Sequence, residues 1–248
     1  MKVFWAEIQK AHRRHDLPVA VGVALIVVLW ASASSPTTAD ELATGYSGLL
    51  YTLPIMNAVV MPVGMAALAS RIWDAETKGQ TCKLLFTLQS RDSLFAAKVA
   101  LGMLENLLVC ALECLALPLL GAFRGFTESV NAGLCVWLVL CTFCVNGMLY
   151  FLSFLLSIRV ENQVAALAVG FCGALIGLFA AFMPRWFSYL VPFGYYVPLS
   201  PVGMNWDSDT RIAEFFVRPL CLPLLAGTVI LAAALALLCR RAIRNKEV

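Results

Sequence analysis

The sequence predicts an all-α integral membrane protein with six transmembrane helices, and three observations carry that prediction. Hydrophobic residues make up 61% of the 248 residues and charged residues only 13%, about half the roughly 25% of a soluble domain. The mean hydropathy is +0.83. The apolar residues fall into six runs, each near the ~20 residues one helix needs to cross a bilayer. Six spans with short connections use most of the chain, so 1–248 reads as a single membrane domain.

Each element follows from its flanks. Residues 1–16 read as an interfacial helix. Phe4, Trp5, Ile8 and Ala11 recur at helical spacing, while Lys2, Lys10, Arg13 and Arg14 supply positive charge, which is the pattern of a helix lying in the membrane surface. A charged flank that merely stops the first span from sliding is the competing reading. A secretory signal is excluded, because no small-residue cleavage pattern breaks the segment. Span one covers 17–33 and gives way to the polar stretch 34–41. Span two covers 46–70 and contains Pro54 and Pro62, each of which removes a backbone donor and frees a carbonyl that a neighbour must satisfy.

The polar segment 71–98 separates span two from span three, 99–123, which carries Glu105, Glu113 and Pro118. Span four covers 130–158 and is followed by a charged turn at 159–162. Span five covers 164–183. An aromatic and proline-rich stretch, 184–209, precedes span six at 219–239, and the tail is basic. Trp186, Tyr189, Phe193, Tyr195, Tyr196 and Trp206 in that stretch favour a re-entrant or interfacial element, since Trp and Tyr concentrate at the membrane surface.

Lysine and arginine set the orientation, because cytoplasmic loops retain positive charge. Fourteen fall on one side: Lys2, Lys10, Arg13, Arg14, Arg71, Lys78, Lys83, Arg91, Lys98, Arg159, Arg240, Arg241, Arg244 and Lys246. Only Arg124, Arg185, Arg211 and Arg218 fall on the other. Both ends are therefore expected in the cytoplasm. The basic residues flank apolar runs and form no continuous patch, which argues against nucleic-acid binding. The nine cysteines follow no disulfide or zinc spacing. Most lie inside apolar runs, where a thiol acts as a small hydrophobe, and Cys141 and Cys144 read as packing residues on that ground.

Span five carries small residues four apart: Ala166, Gly170 and Ala174 on one stripe, Gly173, Gly177 and Ala181 on the next. Such stripes let helix backbones approach closely in lipid, so Gly170, Gly173 and Gly177 are expected to pack against another helix of this subunit or of a partner.

The segment 71–91 is too polar to cross a membrane and, at Leu84, Leu85, Phe86 and Leu88, too apolar for a solvated linker. A short amphipathic helix docking on another protein accounts for both properties. Glu76, Gly79, Thr81, Lys83, Leu84, Leu85, Ser90, Arg91 and Lys98 resemble the first cytoplasmic loop of the ABC-2 type permeases. Their consensus runs near E-x-x-x-G-T-x-x-L-L, then a small residue with arginine, then lysine before the third span. Gln89 departs from it, standing where many relatives have proline.

The resemblance implies a type V exporter-like arrangement. An amino-terminal interfacial helix precedes six spans, with a cytoplasmic coupling helix between spans two and three. It implies a permease that pairs with a second permease subunit, as a homodimer or heterodimer, and with a cytoplasmic ATPase that uses ATP and Mg. Glu76, Lys78, Gly79, Lys83, Leu84, Leu85 and Arg91 are the implied ATPase-coupling residues, with Glu161 in the 159–163 turn as a second contact. This chain has no G-x-x-x-x-G-K-[ST] loop for nucleotide phosphates, so no cofactor is expected on it. Length and the lack of a large external domain resemble the small lantibiotic-immunity and bacitracin-export permeases of bacterial cytoplasmic membranes. That resemblance points to antibiotic resistance and an amphipathic peptide, drug or lipid-like cargo.

A carboxylate in mid-membrane costs about 2.5 kcal/mol or more on insertion scales and ordinarily faces a cavity or a partner. Glu105 and Glu113 lie about 80° apart on a helix and share one broad face. With Asn57 and Asn146 they are the candidate substrate path. The alternatives are hydrogen bonds across helices and, for Glu105, pairing with Lys98 or Arg71. Two further functions compete with export. A membrane enzyme lacks support, because His12 and His15 sit far from any span serine and neither G-x-S-x-G nor H-E-x-x-H occurs. A non-transporting scaffold or sensor keeps the packing features but needs no ATPase-binding loop.

Overall fold

A computed structural model of the chain describes residues 2–33, 39–78, 86–160, 162–206 and 213–246. Helix α1 (Lys2–Arg14) is followed by α2 (Asp16–Ala31), a short α3 (Ala39–Ala43) and the long α4 (Gly45–Lys78). Then come α5 (Arg91–Arg124), α6 (Ala132–Val160) and α7 (Gln163–Ala181). A one-turn α8 (Arg185–Ser188) and a 3₁₀ turn (Pro192–Gly194) lead to strands β1 (Val202–Trp206) and β2 (Ala213–Val217), and α9 (Leu222–Arg244) closes the chain. Among the described residues, helices α4, α5, α6, α7 and α9 are each long and apolar enough to cross a membrane, and the α1–α2 pair, bent by 65°, makes a sixth when counted as one broken span. The chain is a multi-pass membrane protein.

The bend between α1 and α2 is set by His15, whose φ of 57° and ψ of 40° place it in the left-handed region, a conformation that histidine enters more readily than most residues. Phe4, Ile8 and Ala11 turn inward, whereas Trp5, from the same apolar repeat, stays exposed. Helix α5 stops at Gly125, whose φ of 73° suits glycine at the position just past a helix end. Asn162 starts α7 by accepting the Val164 backbone N–H at 2.9 Å.

Alternating helix directions bring the ends together in two groups. At one end, α1, the end of α4, the start of α5 and the last turns of α6 and α9 meet. Arg91 bonds the Arg244 carbonyl, Arg240 pairs with Asp92 at 2.8 Å, and Lys246 bonds the Ile158 carbonyl at 3.3 Å. Both described termini lie there. At the other end, Arg124 bonds the Ser32 carbonyl, and Ser47 holds Glu128 through its backbone N–H at 2.9 Å.

Helix α4 is the hub, packed against α7, α6 and α2, while α9 packs on α6 and α1 on α5. The core gathers Met61, Met65, Leu68, Ile72 and Trp73 of α4 with Leu149, Tyr150 and Phe154 of α6. Pro54 frees the carbonyl of Leu50, four residues back. The Ser200 hydroxyl comes within 3.4 Å of that carbonyl but donates more closely to the Val202 carbonyl, at 2.9 Å.

One sequence expectation changes and a second gains detail. The polar segment 71–98 is mostly helix: α4 runs on to Lys78 and α5 starts at Arg91. The reason is that polar residues in 71–78 and 91–98 pack against α1 and α9 and need no solvent-exposed coil. Residues 86–88 are helical as well, and 79–85 lie outside the described residues. Over its described residues, 184–206, the aromatic stretch is a short helix, a 3₁₀ turn and the first strand of a hairpin, which details the expected interfacial element without contradicting it. β1 and β2 pair antiparallel with Val202 opposite Val217 and Trp206 opposite Ala213. The ring of Phe215 lies 6.0 Å from that of Tyr51 on α4.

The small residues of α7 find their partners within this subunit. A methyl group at Gly170 would sit 2.7 Å from the Pro62 carbonyl oxygen and 2.9 Å from the Ala66 methyl of α4; at Gly177 it would meet the Phe193 backbone at 2.9 Å, and at Gly173 the Phe193 ring at 2.3 Å. Gly170→Ala is therefore expected to lower the thermal midpoint of the detergent-solubilised protein, by about 1–3 kcal/mol of overpacking. Gly22→Ala, where nothing lies within 4 Å, should leave it unchanged or raise it. Equal midpoints for the two variants refute the close α4–α7 approach.

Candidate functional site

The ionisable residues buried in the bundle concentrate along one face of α5. Lys98, Glu105 and Glu113 follow one another at intervals of seven and eight residues, about 10 and 12 Å along the axis, and are 0%, 6% and 3% exposed. Each belongs to a different environment.

Lys98 is the centre of a cluster at the end that carries both termini. Its ammonium lies 3.1 Å from Glu7 of α1 and 3.0 Å from Glu76 of α4, and it also donates to the Ile72 carbonyl at 3.1 Å. Lys10 of α1 completes the group, 2.8 Å from Glu7 and 2.6 Å from Glu76. Two cations and two anions make the cluster neutral. Three of the four are essentially inaccessible to water, so removing any one leaves an uncompensated buried charge. The Lys10 ammonium is held above its ordinary range: burial disfavours its charge, and hydrogen bonds to Glu7 and Glu76 outweigh that. The cluster ties three helices together. In the chain, Glu76 precedes the segment 79–90 and Lys98 follows it.

A second group lies where α1 turns into α2. Asp16, 1% exposed, takes Arg14 at 2.7 Å and Arg71 of α4 at 3.1 Å, and Arg71 also bonds the Arg14 carbonyl. Glu105 is within electrostatic reach of all three, yet both of its carboxylate oxygens are buried without a hydrogen-bond partner. The expected pairing of Glu105 with Lys98 or Arg71 is not made, because those cations are taken by Glu7, Glu76 and Asp16.

Further along α5 a polar chain crosses the bundle. The Tyr196 hydroxyl donates to Asn146 Oδ1 at 2.6 Å, Asn146 Nδ2 donates to Asn106 Oδ1 at 2.9 Å, and Asn106 Nδ2 donates to the Phe143 carbonyl at 3.0 Å. Asn57 of α4 donates to Glu113 Oε2 at 3.1 Å. Asn57 Oδ1 and Glu113 Oε1 remain buried and unpartnered. This pair is short of one donor.

The structure brings Asn57, Glu113 and Asn146 into one buried polar layer and leaves Glu105 nearer the ionic end. Of the coupling residues, Glu76 is buried in the ion cluster rather than displayed. Arg91 sits at the foot of α5, with its guanidinium 4.6 Å from the Phe86 ring centre. Gly79, Lys83, Leu84, Leu85 and Glu161 lie outside the described residues, as does the side chain of Lys78. Sequence reasoning missed Glu7, Asp16 and Tyr196. Glu7 carried a signal: it is three residues from Phe4 and four from Ala11, on the inward stripe of α1. Tyr196 was indistinguishable from its interfacial aromatic neighbours.

Fold and site together define a helical membrane domain with ionisable groups reaching from one end into its centre. A family model described as ABC-2 family transporter protein matches residues 3–199, most of the chain, and the chain belongs to that family. It is thus a permease subunit of an ABC transporter, a membrane transport component and not itself a catalytic enzyme; permeases of this family normally work with a cytoplasmic ATPase. No curated protein matches the chain.

Two substitutions test the site. Lys98→Met keeps the volume but leaves Glu7 and Glu76 buried beside Lys10 alone. The expected loss is about 3–5 kcal/mol, seen as a large fall in thermal midpoint or in yield of folded protein. A midpoint equal to that of the parent chain contradicts the cluster. Glu113→Gln supplies the missing N–H donor to Asn57 and should hold or raise the midpoint. Glu113→Leu strips Asn57 of its only partner and should lower it by about 1–3 kcal/mol. The reverse order rules out the Asn57–Glu113 pairing.

Proposed function

We propose that this permease subunit couples to a separate cytoplasmic ATPase through the loop 79–90 and drives export of an amphipathic peptide antibiotic, drug or lipid-like molecule. In this reading both termini are cytoplasmic, the membrane is a bacterial cytoplasmic membrane, and a second permease subunit completes the transport path. One observation carries it. The Glu76–Lys98 pair, 3.0 Å long and buried, joins the helices that flank the motif-bearing loop and links both to α1 through Glu7 and Lys10. A push on the loop is then delivered to α1, α4 and α5 as one rigid unit instead of being absorbed by a flexible strand.

Gly79, Lys83, Leu84 and Leu85 are assigned to the ATPase-facing surface, with Arg91 at its edge and Glu161 as the minor contact. Lys78 belongs to the same surface by its place in the motif. Glu76 acts from within, by holding the flanking helices together. The fourteen-to-four distribution of lysine and arginine places this end in the cytoplasm, where ATP is available. Length and the small external portion favour the lantibiotic-immunity and bacitracin-export type. Glu113, Asn57 and Asn146 lie in the layer that a cargo must pass, with Glu105 nearer the ionic end, and the unpartnered acceptors there suit a cargo that brings hydrogen-bond donors.

The test is co-purification from the native membrane in mild detergent. A P-loop ATPase is expected with the parent chain, and Gly79→Trp combined with Lys83→Glu should reduce its recovery at least ten-fold while the permease still elutes as a single folded species. If no ATPase accompanies the folded parent chain in several detergents, export fails and the scaffold reading takes its place.

A further inference from the structure

We infer that the pocket between the last turns of α6 and α9 binds the phosphate headgroup of an anionic phospholipid. The pocket has a volume of about 480 Å³, within the range of about 300–1,000 Å³ typical of ligand sites. Its walls divide by chemistry. Arg159, Arg241 and Lys246 contribute three cations from two helices, and Ile158, Leu238 and Ala242 supply an apolar side. The pocket lies apart from the loop 79–90, but Arg159 borders the turn assigned above as the minor ATPase contact, so the experiment uses the chain without its ATPase.

Two helix C-termini also end here, each worth about half a negative charge that repels an anion. The two exposed guanidiniums of Arg159 and Arg241 outweigh them. The terminal carbonyls are moreover occupied: those of Arg241 and Ile243 accept the Asn245 N–H, and that of Ile158 accepts the Lys246 ammonium at 3.3 Å. Lys246 is further placed over the Trp73 ring, 4.9 Å from its centre, which fixes it on the pocket wall. Among the described residues, Arg159 and Arg241 are exposed and form no ion pair, whereas the neighbouring Arg240 is committed to Asp92. The two guanidiniums therefore present planar donor sets suited to phosphate oxygens.

What lies beside the pocket favours a lipid over a soluble anion. Leu237, Leu238 and Ile230 are exposed along the outer face of α9, as is Val160 beside Arg159, and these residues continue the apolar wall away from the charged end. A headgroup held by Arg159 and Arg241 leaves its acyl chains on that face. Basic pockets between transmembrane helices at the cytoplasmic or matrix side of a membrane bind anionic headgroups on this principle.

The experiment offers phosphatidylglycerol in a phosphatidylcholine background to the purified full chain and counts retained lipid by native mass spectrometry, with the thermal midpoint followed in parallel. Phosphatidylglycerol should be retained selectively and raise the midpoint. Arg159→Gln or Arg241→Gln should each lower retention about five-fold. Arg13→Gln, an exposed cation on α1 at the same end, should not. An unchanged midpoint in phosphatidylcholine alone verifies that the variants fold. The inference is overturned if phosphatidylcholine is retained equally, or if Arg13→Gln matches the pocket variants. It is also overturned if inorganic phosphate alone reproduces the midpoint rise, which assigns the pocket to a soluble anion.

Discussion

Burying the ammonium of Lys98 where no water reaches it is the constraint from which the architecture of the basic end follows. A lone charge in a low-dielectric interior costs several kcal/mol, so Lys98 requires carboxylates, and those carboxylates must come from elements that can pack around it. Glu76 comes from α4 and Glu7 from α1; Lys10 then balances the second negative charge. Because α1 is held by this cluster on one side and bent at His15 on the other, it folds back against α5 instead of continuing the line of α2. Asp16, with Arg14 and Arg71, repeats the same solution one step further along the chain.

Away from that end, packing in lipid has no hydrophobic force between helices to rely on, and close approach takes its place. Gly170 of α7 meets the backbone of α4 at Pro62, and Gly177 meets the Phe193–Gly194 backbone. Helix α4 becomes the hub because it offers both the contact surface for α7 and the aromatic and methionine core shared with α6. The buried polar layer of Asn57, Glu113, Asn106, Asn146 and Tyr196 is built into this scaffold. Its members are almost fully bonded to one another, with unpartnered acceptors at Asn57 and Glu113 only. A resting bundle closed by side-chain hydrogen bonds is consistent with an ABC-2 family permease that opens when its helices are driven apart.

The spans were legible in the sequence because each is a run of apolar residues with polar flanks, and the helix ends fall within a few residues of those runs for α2, α6, α7 and, at its carboxyl end, α5. The family was legible because its motif is local: Glu76, Gly79, Thr81 and Lys98 lie within one short stretch. The roles of those residues were less so. Glu76 looked like part of an exposed docking surface, since polar residues in a loop ordinarily face solvent. It is buried because α4 continues as helix past the apolar run and turns that residue toward Lys98. The alternative pairing of Glu105 with Lys98 or Arg71 is not made for a related reason: charge balance along the chain names the available partners but not which helix reaches them first.

The sequence by itself determined that this chain crosses a membrane several times, where most of its apolar spans lie, and which family it resembles, because hydropathy, caps and local motifs act over one or two helical turns. Only the tertiary structure decided that Glu7, Lys10, Glu76 and Lys98 form one neutral cluster, that Tyr196 caps Asn146, and that Arg159 and Arg241 share a pocket. Apart from Lys10 with Glu7, those contacts join residues 22 to 91 positions apart. Their partners are selected by helix packing and by the cost of leaving a buried polar group unpaired.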